Sequence, residues 1–259
     1  MQNNTFSTLF VGQNLIKLSA VDSTNNFLKS LLSKSEPLPE GTVIMADEQF
    51  AGRGQQGNVW HTEPGKNLTF SILLKPSFLP LTKQFLLNMA ISVAINKALF
   101  KYLGNDVQIK WPNDIYYGDQ KIGGMLIENT IVGSAIKSSV IGVGLNVNQE
   151  YFPAHLVNSA TSLYQILQEN VNLQLTLAEI CSHIEVVYLQ LKAGRDTVIK
   201  EEYVNNLYKI NRRASYRQNG EVFEGMITGI TDQGLLKIEK EGKLIEFNFK
   251  EIEFIHNTL

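Results

Sequence analysis

The segment Val107-Gln108-Ile109-Lys110-Trp111-Pro112-Asn113-Asp114 sets a lysine inside an apolar run that is typical of a buried β-strand. In a strand, the two apolar neighbours of Lys110 point to one face and the lysine points to the other. Burying an unpaired ammonium is costly. Lys110 therefore needs either Asp114, in a structural ion pair, or an anionic ligand. Pro112 ends the strand and holds the lysine at its carboxyl end, where ligands often bind. The residues alone leave both alternatives open.

A second segment, Gln49-Phe50-Ala51-Gly52-Arg53-Gly54-Gln55-Gln56-Gly57-Asn58-Val59-Trp60, is rich in glycine. Its glycine spacing matches the dinucleotide-binding fingerprint, but that motif must open a helix directly after the third glycine. Here Pro64 follows soon after, without a helical apolar period. Glycine lets backbone N–H groups approach a phosphate closely, and Arg53 adds charge-assisted donors. Trp60 offers an aromatic face to a purine. The alternative is a flexible surface turn whose arginine is solvated.

Two further segments carry glycines within β-prone runs. In Lys121-Ile122-Gly123-Gly124-Met125-Leu126-Ile127-Glu128, the paired glycines permit close approach of a ligand or form a plain turn or bulge. In Ile141-Gly142-Val143-Gly144-Leu145-Asn146-Val147-Asn148, alternate glycines leave one face of a strand without side chains. A flat group could pack there beside Asn146. A strand tightly covered by a neighbouring element would show the same pattern.

Outward from these segments, the pattern predicts alternating helices and strands. A helix starts near Asp22, Ser23 or Thr24, which are all suitable N-caps. Strands are predicted at residues 42–46 and 67–74, and residues 85–103 form a largely apolar helix that Gly104 ends. Strands follow at 107–111, 124–129 and 139–146, then helices at 177–191 and 197–208. Thr176 and Glu179 form a capping-box pattern before the first of these two helices.

The texture changes after Arg212. The turn signals Gln218-Asn219-Gly220, Asp232-Gln233-Gly234 and Lys240-Glu241-Gly242 separate short β-prone runs at nearly even spacing. Such pairs supply the positive φ angles of tight hairpins. The last part of the chain is therefore predicted to be a small β-barrel.

Composition excludes several classes of protein. The chain has 259 residues, 44% of them hydrophobic and 19% charged, which is typical of a globular protein. A formal net charge of −2 gives no general electrostatic reason to bind nucleic acid. No apolar run approaches the roughly 20 residues of a membrane span. The start Met1-Gln2-Asn3-Asn4-Thr5 lacks signal-peptide features, and the single Cys181 is predicted to be a buried thiol. These features predict a cytoplasmic location.

Taken together and in order, the motifs resemble the biotin–protein ligase family. The resemblance covers nearly the whole chain. The most specific match is the lysine-tryptophan-proline-asparagine-aspartate string, and the Gly-Arg-Gly loop is second. The matching segments are Asp22-Ser23-Thr24-Asn25, Gly52-Arg53-Gly54 with Trp60, Lys110-Trp111-Pro112-Asn113-Asp114, Lys121-Ile122-Gly123-Gly124 and Gly142-Val143-Gly144-Leu145-Asn146.

The resemblance implies an α+β fold: a mixed β-sheet with helices packed mainly on one side, related to class II aminoacyl-tRNA synthetases, and a C-terminal SH3-like β-barrel. We expect a catalytic domain at residues 1–211 and the barrel at 212–259. The implied reaction is ATP-dependent activation of biotin to biotinyl-5'-AMP, followed by transfer to a lysine of a biotin carboxyl carrier domain. Mg2+ is implied as the activator, and no tightly bound prosthetic group is expected. The protein would be a monomer or homodimer, without nucleic-acid or membrane partners.

The family's site residues carry over position by position. Lys110 and Arg53 match the catalytic cations, and Lys110 would bridge the biotin carboxylate and the α-phosphate. The implied biotin site is Ser23, Thr24, Asn25, Gln49, Gly52, Arg53, Gly54, Gln55, Lys110 and Gly123. The implied nucleotide site is Arg53, Trp60, Asn113, Lys121 and Asn146. The metal ligands stay unassigned. Bringing a carboxylate against a polyphosphate opposes like charges, so cations aimed at the developing charge suit the chemistry.

The chain departs from the family in two places. Many members have an arginine where this chain has Gln55 and another basic residue where it has Asn58, so we expect weaker retention of the adenylate. Members that repress transcription carry a winged-helix domain before the Asp-Ser-Thr-Asn motif. Only 21 residues precede Asp22 here, which predicts a ligase without DNA binding.

The sequence leaves two rival functions. One is a lipoate or octanoate ligase or transferase of the same broader fold. The other is a non-catalytic binder of biotin or nucleotide, against which the presence of both Arg53 and Lys110 argues.

Overall fold

The computed structural model describes residues 6–34, 37–54 and 57–255, and its larger sheet is mixed. Its strands follow the order β1-β2-β3-β7-β6-β5-β4. The first pair, β1 and β2, is parallel and the remaining pairs are antiparallel. The seven strands are β1 (Leu15–Val21), β2 (Val43–Gln49), β3 (Leu68–Leu74), β4 (Val107–Lys110), β5 (Asp114–Tyr117), β6 (Gln120–Val132) and β7 (Ala135–Leu145).

Helices cover the two faces of this sheet unequally, as predicted. Side chains alternate along β2, so that Val43 and Met45 join the large core while Ile44 joins a smaller one under α1. The large core also holds the buried faces of α2, α4 and α5. Only α1 among the described helices packs on the opposite face, against β2, β3 and β7. The helices are α1 (Thr24–Leu32), α2 (Phe85–Leu103), α3 (Leu163–Leu167), α4 (Leu173–Lys192) and α5 (Asp196–Asn205).

The central helix α2 has the bounds that the sequence predicts. Gly104 ends it with a φ of 62°, a conformation that glycine adopts without steric cost. By length and composition alone, this helix could cross a membrane. However, 72% of its apolar window is buried inside the protein, where it packs against α4 and α5. An all-round apolar helix is therefore the core helix here.

A second, five-stranded antiparallel sheet follows, in the order β11-β10-β9-β8-β12. The three predicted turns are confirmed: Asn219 and Gly220 have φ of 51° and 86°, Gly234 has φ of 90°, and Glu241 and Gly242 have φ of 51° and 75°. The domain boundary between residues 211 and 212 stays a prediction. The strands are β8 (Arg213–Gln218), β9 (Glu221–Ile230), β10 (Leu236–Lys240), β11 (Lys243–Phe247) and β12 (Glu253–Phe254).

Trp111 connects the two sheets through a hydrogen bond and a ring contact. Its indole Nε1 donates to the carbonyl of Gly234 at 2.9 Å, and its ring lies 5.0 Å from that of Phe249. Gly234 also lies so close to Phe85 that a Cβ atom there would come within 2.3 Å of the ring. The segment that contains Trp111 and the C-terminal sheet are thus packed together.

The predicted capping box before α4 is wrong. The helix begins at Leu173, and Asn172 is its N-cap, with a side-chain oxygen that accepts the N–H of Leu175 at 3.0 Å. Asn172 is a good cap that precedes Thr176, so the helix starts one turn earlier. Glu179 instead pairs with Lys101 at 2.7 Å.

Other bounds differ by a few residues, because cross-strand pairing extends what local pattern predicts. Strands β6 and β7 are longer than predicted, and α5 ends at Asn205 rather than at residue 208. The elements β1, β5 and α3 were not predicted; the last two have 4 and 5 residues. Cys181 is buried as predicted, and burial raises the pKa of its thiol to about 12.

Candidate functional site

A cavity of about 180 Å3 opens on the α1 face of the large sheet. Its walls are formed by the start of α1, the end of β2, the described residues of the glycine loop (49–54 and 57–60), residues 112–114 and strands β6 and β7. We call it the main cavity. From the predicted biotin set it is lined by Ser23, Thr24, Asn25, Gln49, Arg53 and Gly54, and from the predicted nucleotide set also by Trp60, Asn113 and Lys121.

The end of the main cavity next to α1 is polar and internally hydrogen-bonded. Gln49 Oε1 accepts from the backbone N–H of Thr24 at 2.8 Å. The Ser71 hydroxyl lies 2.7 Å from the hydroxyl of Thr24 and 2.6 Å from Asn25 Oδ1. Thr24, Asn25 and Ser71 are buried, so this network fixes amide and hydroxyl groups in place before any ligand binds.

The alternate glycines of β7 are explained by two side chains that lie on them. A Cβ atom at Gly142 would come within 2.4 Å of Asn25 Oδ1, and one at Gly144 within 2.4 Å of the Trp60 indole. The sequence left two alternatives, a flat group packed on the glycines or a neighbouring element that covers the strand. Each is correct in part, because the flat group is the Trp60 ring of the protein's own glycine loop. Trp60 Nε1 is buried and has no hydrogen-bond acceptor among the described residues.

Arg53 is held at the wall of the main cavity by an ion pair. Its guanidinium lies 2.9 Å from Glu128 Oε2 on β6. The same carboxylate accepts from Lys29 at 2.7 Å and from Asn25 Nδ2 at 2.7 Å. The glycine loop closes on itself nearby, because the N–H of Trp60 donates to the carbonyl of Gly52 at 2.9 Å.

Lys121 and Asp114 form a second ion pair in the main cavity, 2.7 Å apart. The Lys121 ammonium also lies 5.7 Å from the centre of the Trp60 ring. Asn113 is buried beside them and donates to the carbonyl of Met125. Asp114 therefore partners Lys121, and the Lys110–Asp114 ion pair, one of the two alternatives that the sequence leaves open, is not formed.

Lys110 does not line the main cavity. Its ammonium donates to the Tyr116 hydroxyl at 2.9 Å and lies 4.6 Å from that ring and 5.2 Å from the ring of Phe254. Among the described residues it forms no ion pair with a carboxylate. Burial lowers the pKa of Lys110 to about 8, and the charges of Lys121 and Lys209 act in the same direction while Asp114 opposes them.

A second cavity of about 410 Å3 adjoins the main one and shares Trp60 and Lys121 with it. We call it the side cavity. Asn146 lines it, but its Nδ2 donates to the carbonyl of Thr161 at 3.0 Å. The side cavity also presents His61 and His155. Trp60 and Lys121 thus stand where the two cavities meet.

The other predicted site residues have different surroundings. Gly123 lies against Leu145 and the carbonyl of Gly144, where a Cβ atom would come within 2.9 Å, and Gly124 rather than Gly123 lines the main cavity. Gly52 does not line the main cavity. A Cβ atom at this position would come within 2.5 Å of the Trp60 carbonyl oxygen. Gln55 lies outside the described residues.

The predicted site set lacks Ser71, Asp114 and Glu128, whose side chains belong to the network of the site. Ser71 is an unremarkable serine within an apolar strand, where only its contact with Thr24 gives it significance. Glu128 ends one of the quoted motifs, and its acidic side chain in an apolar run was a signal that the sequence offered.

Two family models match the chain in order. One describes the biotin/lipoate A/B protein ligase family and matches residues 18–146. The other describes the biotin protein ligase C-terminal domain and matches residues 210–254. The second match coincides with the five-stranded sheet.

Named relatives and solved structures agree with this. The chain is 32% identical over 248 residues to the bifunctional ligase/repressor BirA of Bacillus spizizenii, covering 95% of this chain and 75% of that protein. It is 31% identical over 132 residues to a biotin–[acetyl-CoA-carboxylase] ligase of Paracoccus denitrificans, covering 50% and 53%. The biotin protein ligase of Aquifex aeolicus, solved with biotin and ATP, shares 26% identity at a TM-score of 0.78 over 93% and 98% of the two chains. This chain therefore belongs to the biotin protein ligase family and is a ligase.

Proposed function

We propose that the protein joins biotin to ATP, forming biotinyl-5'-AMP, and transfers the biotinyl group to a lysine of the biotin carboxyl carrier protein of acetyl-CoA carboxylase. In the first step a biotin carboxylate oxygen attacks the α-phosphorus and pyrophosphate leaves. In the second step the carrier lysine attacks the acyl carbon and AMP leaves. Both steps depend chiefly on alignment of the reactants.

The single observation that carries the choice of biotin is the polar end of the main cavity. Thr24, Asn25, Gln49 and Ser71 converge there through hydrogen bonds of 2.6 to 2.8 Å. A ureido ring has two N–H donors and one carbonyl acceptor, so it can exchange hydrogen bonds with such groups. A lipoyl or octanoyl tail offers no partner to the hydrogen-bonding capacity that these groups keep beyond their mutual bonds, and each polar atom that loses water without a partner costs about 1–3 kcal/mol.

The cations of the site support the proposed activation step. Arg53 and Lys121 line the main cavity. We propose that these two cations bind the negatively charged carboxylate of biotin and the phosphates of ATP. Trp60, whose buried Nε1 has no acceptor among the described residues, is free to donate to the nucleotide. A catalytic role for Lys110 requires its ammonium to leave Tyr116 and Phe254 for the main cavity.

The described residues fit a metal ion that is carried by the nucleotide. They contain no cluster of three or more His, Cys, Asp or Glu side chains that could hold a metal ion by itself. Mg2+ characteristically binds through phosphates, waters and one or two carboxylates. Asp114 is the carboxylate that lines the main cavity, so it would be the protein's contribution. When bound, Mg2+ would neutralise charge on the polyphosphate.

One rival substrate class has an observation in its favour. The first family model covers lipoate as well as biotin ligases, so a lipoate or octanoate ligase is the rival that the exchange assay must separate from a biotin ligase. We also propose that the protein is cytoplasmic, that its partner is a biotin carboxyl carrier domain, and that it is a monomer or homodimer.

Exchange of labelled pyrophosphate into ATP tests the proposed activation. We expect exchange with biotin and Mg2+ and none with lipoate or octanoate. Omitting Mg2+ from the biotin reaction is the matched control for the metal. Exchange with lipoate but not biotin would assign the protein to the rival class, and binding of biotin without any exchange would refute the proposed activation step.

A further inference from the structure

Glu128 gathers three side chains from two other parts of the chain. Asn25 and Lys29 on α1 each donate to its carboxylate at 2.7 Å, and Arg53 of the glycine loop donates at 2.9 Å. Burial raises the pKa of this carboxyl group, but the hydrogen bonds from Lys29 and Asn25 and the charge of Arg53 outweigh burial, and the pKa lies below its usual value. The group is therefore a carboxylate at neutral pH.

This carboxylate dictates which way the Asn25 amide faces. An ionised carboxylate only accepts hydrogen bonds, so Asn25 must turn its Nδ2 toward Glu128. Its Oδ1 then faces the Ser71 hydroxyl, 2.6 Å away, and lies directly above Gly142. A neutral amide at position 128 could donate as well as accept, so the flipped orientation of Asn25 would be opposed only by the long contact of Nδ2 with the Leu126 carbonyl, at 3.4 Å.

The same carboxylate fixes Arg53. The ion pair connects the glycine loop to β6 and keeps the guanidinium on the wall of the main cavity. A guanidinium has five N–H donors, and the contact with Glu128 uses one nitrogen of Arg53. The remaining donors stay available to an anion in the main cavity.

We propose that Glu128 is a positioning residue of the ligase, which orients the Asn25 amide toward biotin and the Arg53 guanidinium toward the adenylate. Glu128 itself is not among the residues that line the main cavity. The inference rests on the proposed activation of biotin. Since the Arg53–Glu128 pair is partly exposed, at 38% and 26%, its contribution to folding stability is small. Its removal should therefore be felt in binding and rate.

The variant Glu128→Gln keeps the shape of the side chain and removes the charge. We expect the biotin KM in pyrophosphate exchange, and the biotin Kd without ATP, to rise about tenfold, as for loss of one charge-assisted hydrogen bond. The melting temperature should change little. The matched control is Glu179→Gln on α4, which breaks a comparable ion pair with Lys101 at 2.7 Å. That control should leave both constants unchanged.

A double-mutant cycle and a proteolysis assay complete the test. If Glu128 acts partly through Arg53, the losses in kcat from Glu128→Gln and Arg53→Gln will be less than additive in the double variant. Trypsin, without any ligand, should cleave after Arg53 faster in Glu128→Gln than in wild type. An active wild type with an unchanged biotin KM and Kd in Glu128→Gln refutes the proposal. Inactivity of the wild type with biotin refutes the proposed function instead, and equal trypsin rates would then refute the anchoring of Arg53.

Discussion

Replacing Lys110 by methionine should make the protein more stable and much less active. The ammonium of Lys110 is largely buried, contacts Tyr116 and Phe254, and has no carboxylate partner among the described residues. Such a charge opposes folding. A ligand anion in the main cavity can draw the ammonium away from Tyr116 and Phe254, and a position that opposes the charge makes this movement less costly. The stability gain and the activity loss are thus expected from the same environment.

The magnitude follows from the pKa of Lys110. Burial lowers it from 10.5 to about 8, and each pKa unit corresponds to about 1.4 kcal/mol, so the charged form costs roughly 3 kcal/mol. Loss of the hydrogen bond to Tyr116 removes about 1 kcal/mol. Lys110→Met should therefore gain about 2 kcal/mol near neutral pH. Between the two pKa values the unfolded chain binds more protons than the folded one, so wild-type stability rises with pH there. The gain should shrink above about pH 8 and reverse near pH 10.5.

Urea unfolding across this pH range, paired with biotin-dependent pyrophosphate exchange, measures both effects. Exchange should fall about a hundredfold or more, as when a group that stabilises transition-state charge is removed. The control Lys97→Met breaks an ion pair with Glu202 at 2.8 Å and should lower stability by at most about 1 kcal/mol without changing exchange. A Lys110→Met protein that is less stable than wild type at neutral pH, or that exchanges normally, would refute the reasoning.

Two further predictions concern Gly144 and Glu185. Gly144→Ala places a Cβ within 2.4 Å of the Trp60 indole, so the ring must move. We therefore expect the ATP KM to rise about tenfold and the Trp60 fluorescence to change. An unaltered ATP KM would contradict this prediction. Glu185 is buried and accepts the backbone N–H groups of residues 9–11 at 2.7 to 3.0 Å, so Glu185→Gln should lower the free energy of unfolding by about 1–3 kcal/mol. Normal exchange with a lower urea midpoint is the expected result, and an unchanged midpoint would count against it.

Local pattern was sufficient where each residue's neighbours in sequence decide its structure. The helix α2 has the predicted bounds because its apolar residues and the stop at Gly104 act within a few turns. The turn Asn219-Gly220 adopts positive φ for the same local reason. The N-cap of α4 shows the limit of local pattern, because Asn172 and Thr176 are both acceptable caps and the choice depends on how much of the helix packs on the core.

The sequence by itself determined the family, the mixed sheet with its C-terminal β-domain, and about half of the residues that line the main cavity. Only the tertiary structure decided which partner each charge receives. Asp114 pairs with Lys121 instead of Lys110, and Glu128 joins Arg53 from 75 residues away. Ion pairs form between charged side chains that lie close together once the strands have paired and α1 has packed on the sheet. The separation of two residues in the sequence does not predict this distance. For the same reason, the packing of the C-terminal sheet against β4 decides that Lys110 lies beside Phe254 rather than in the main cavity.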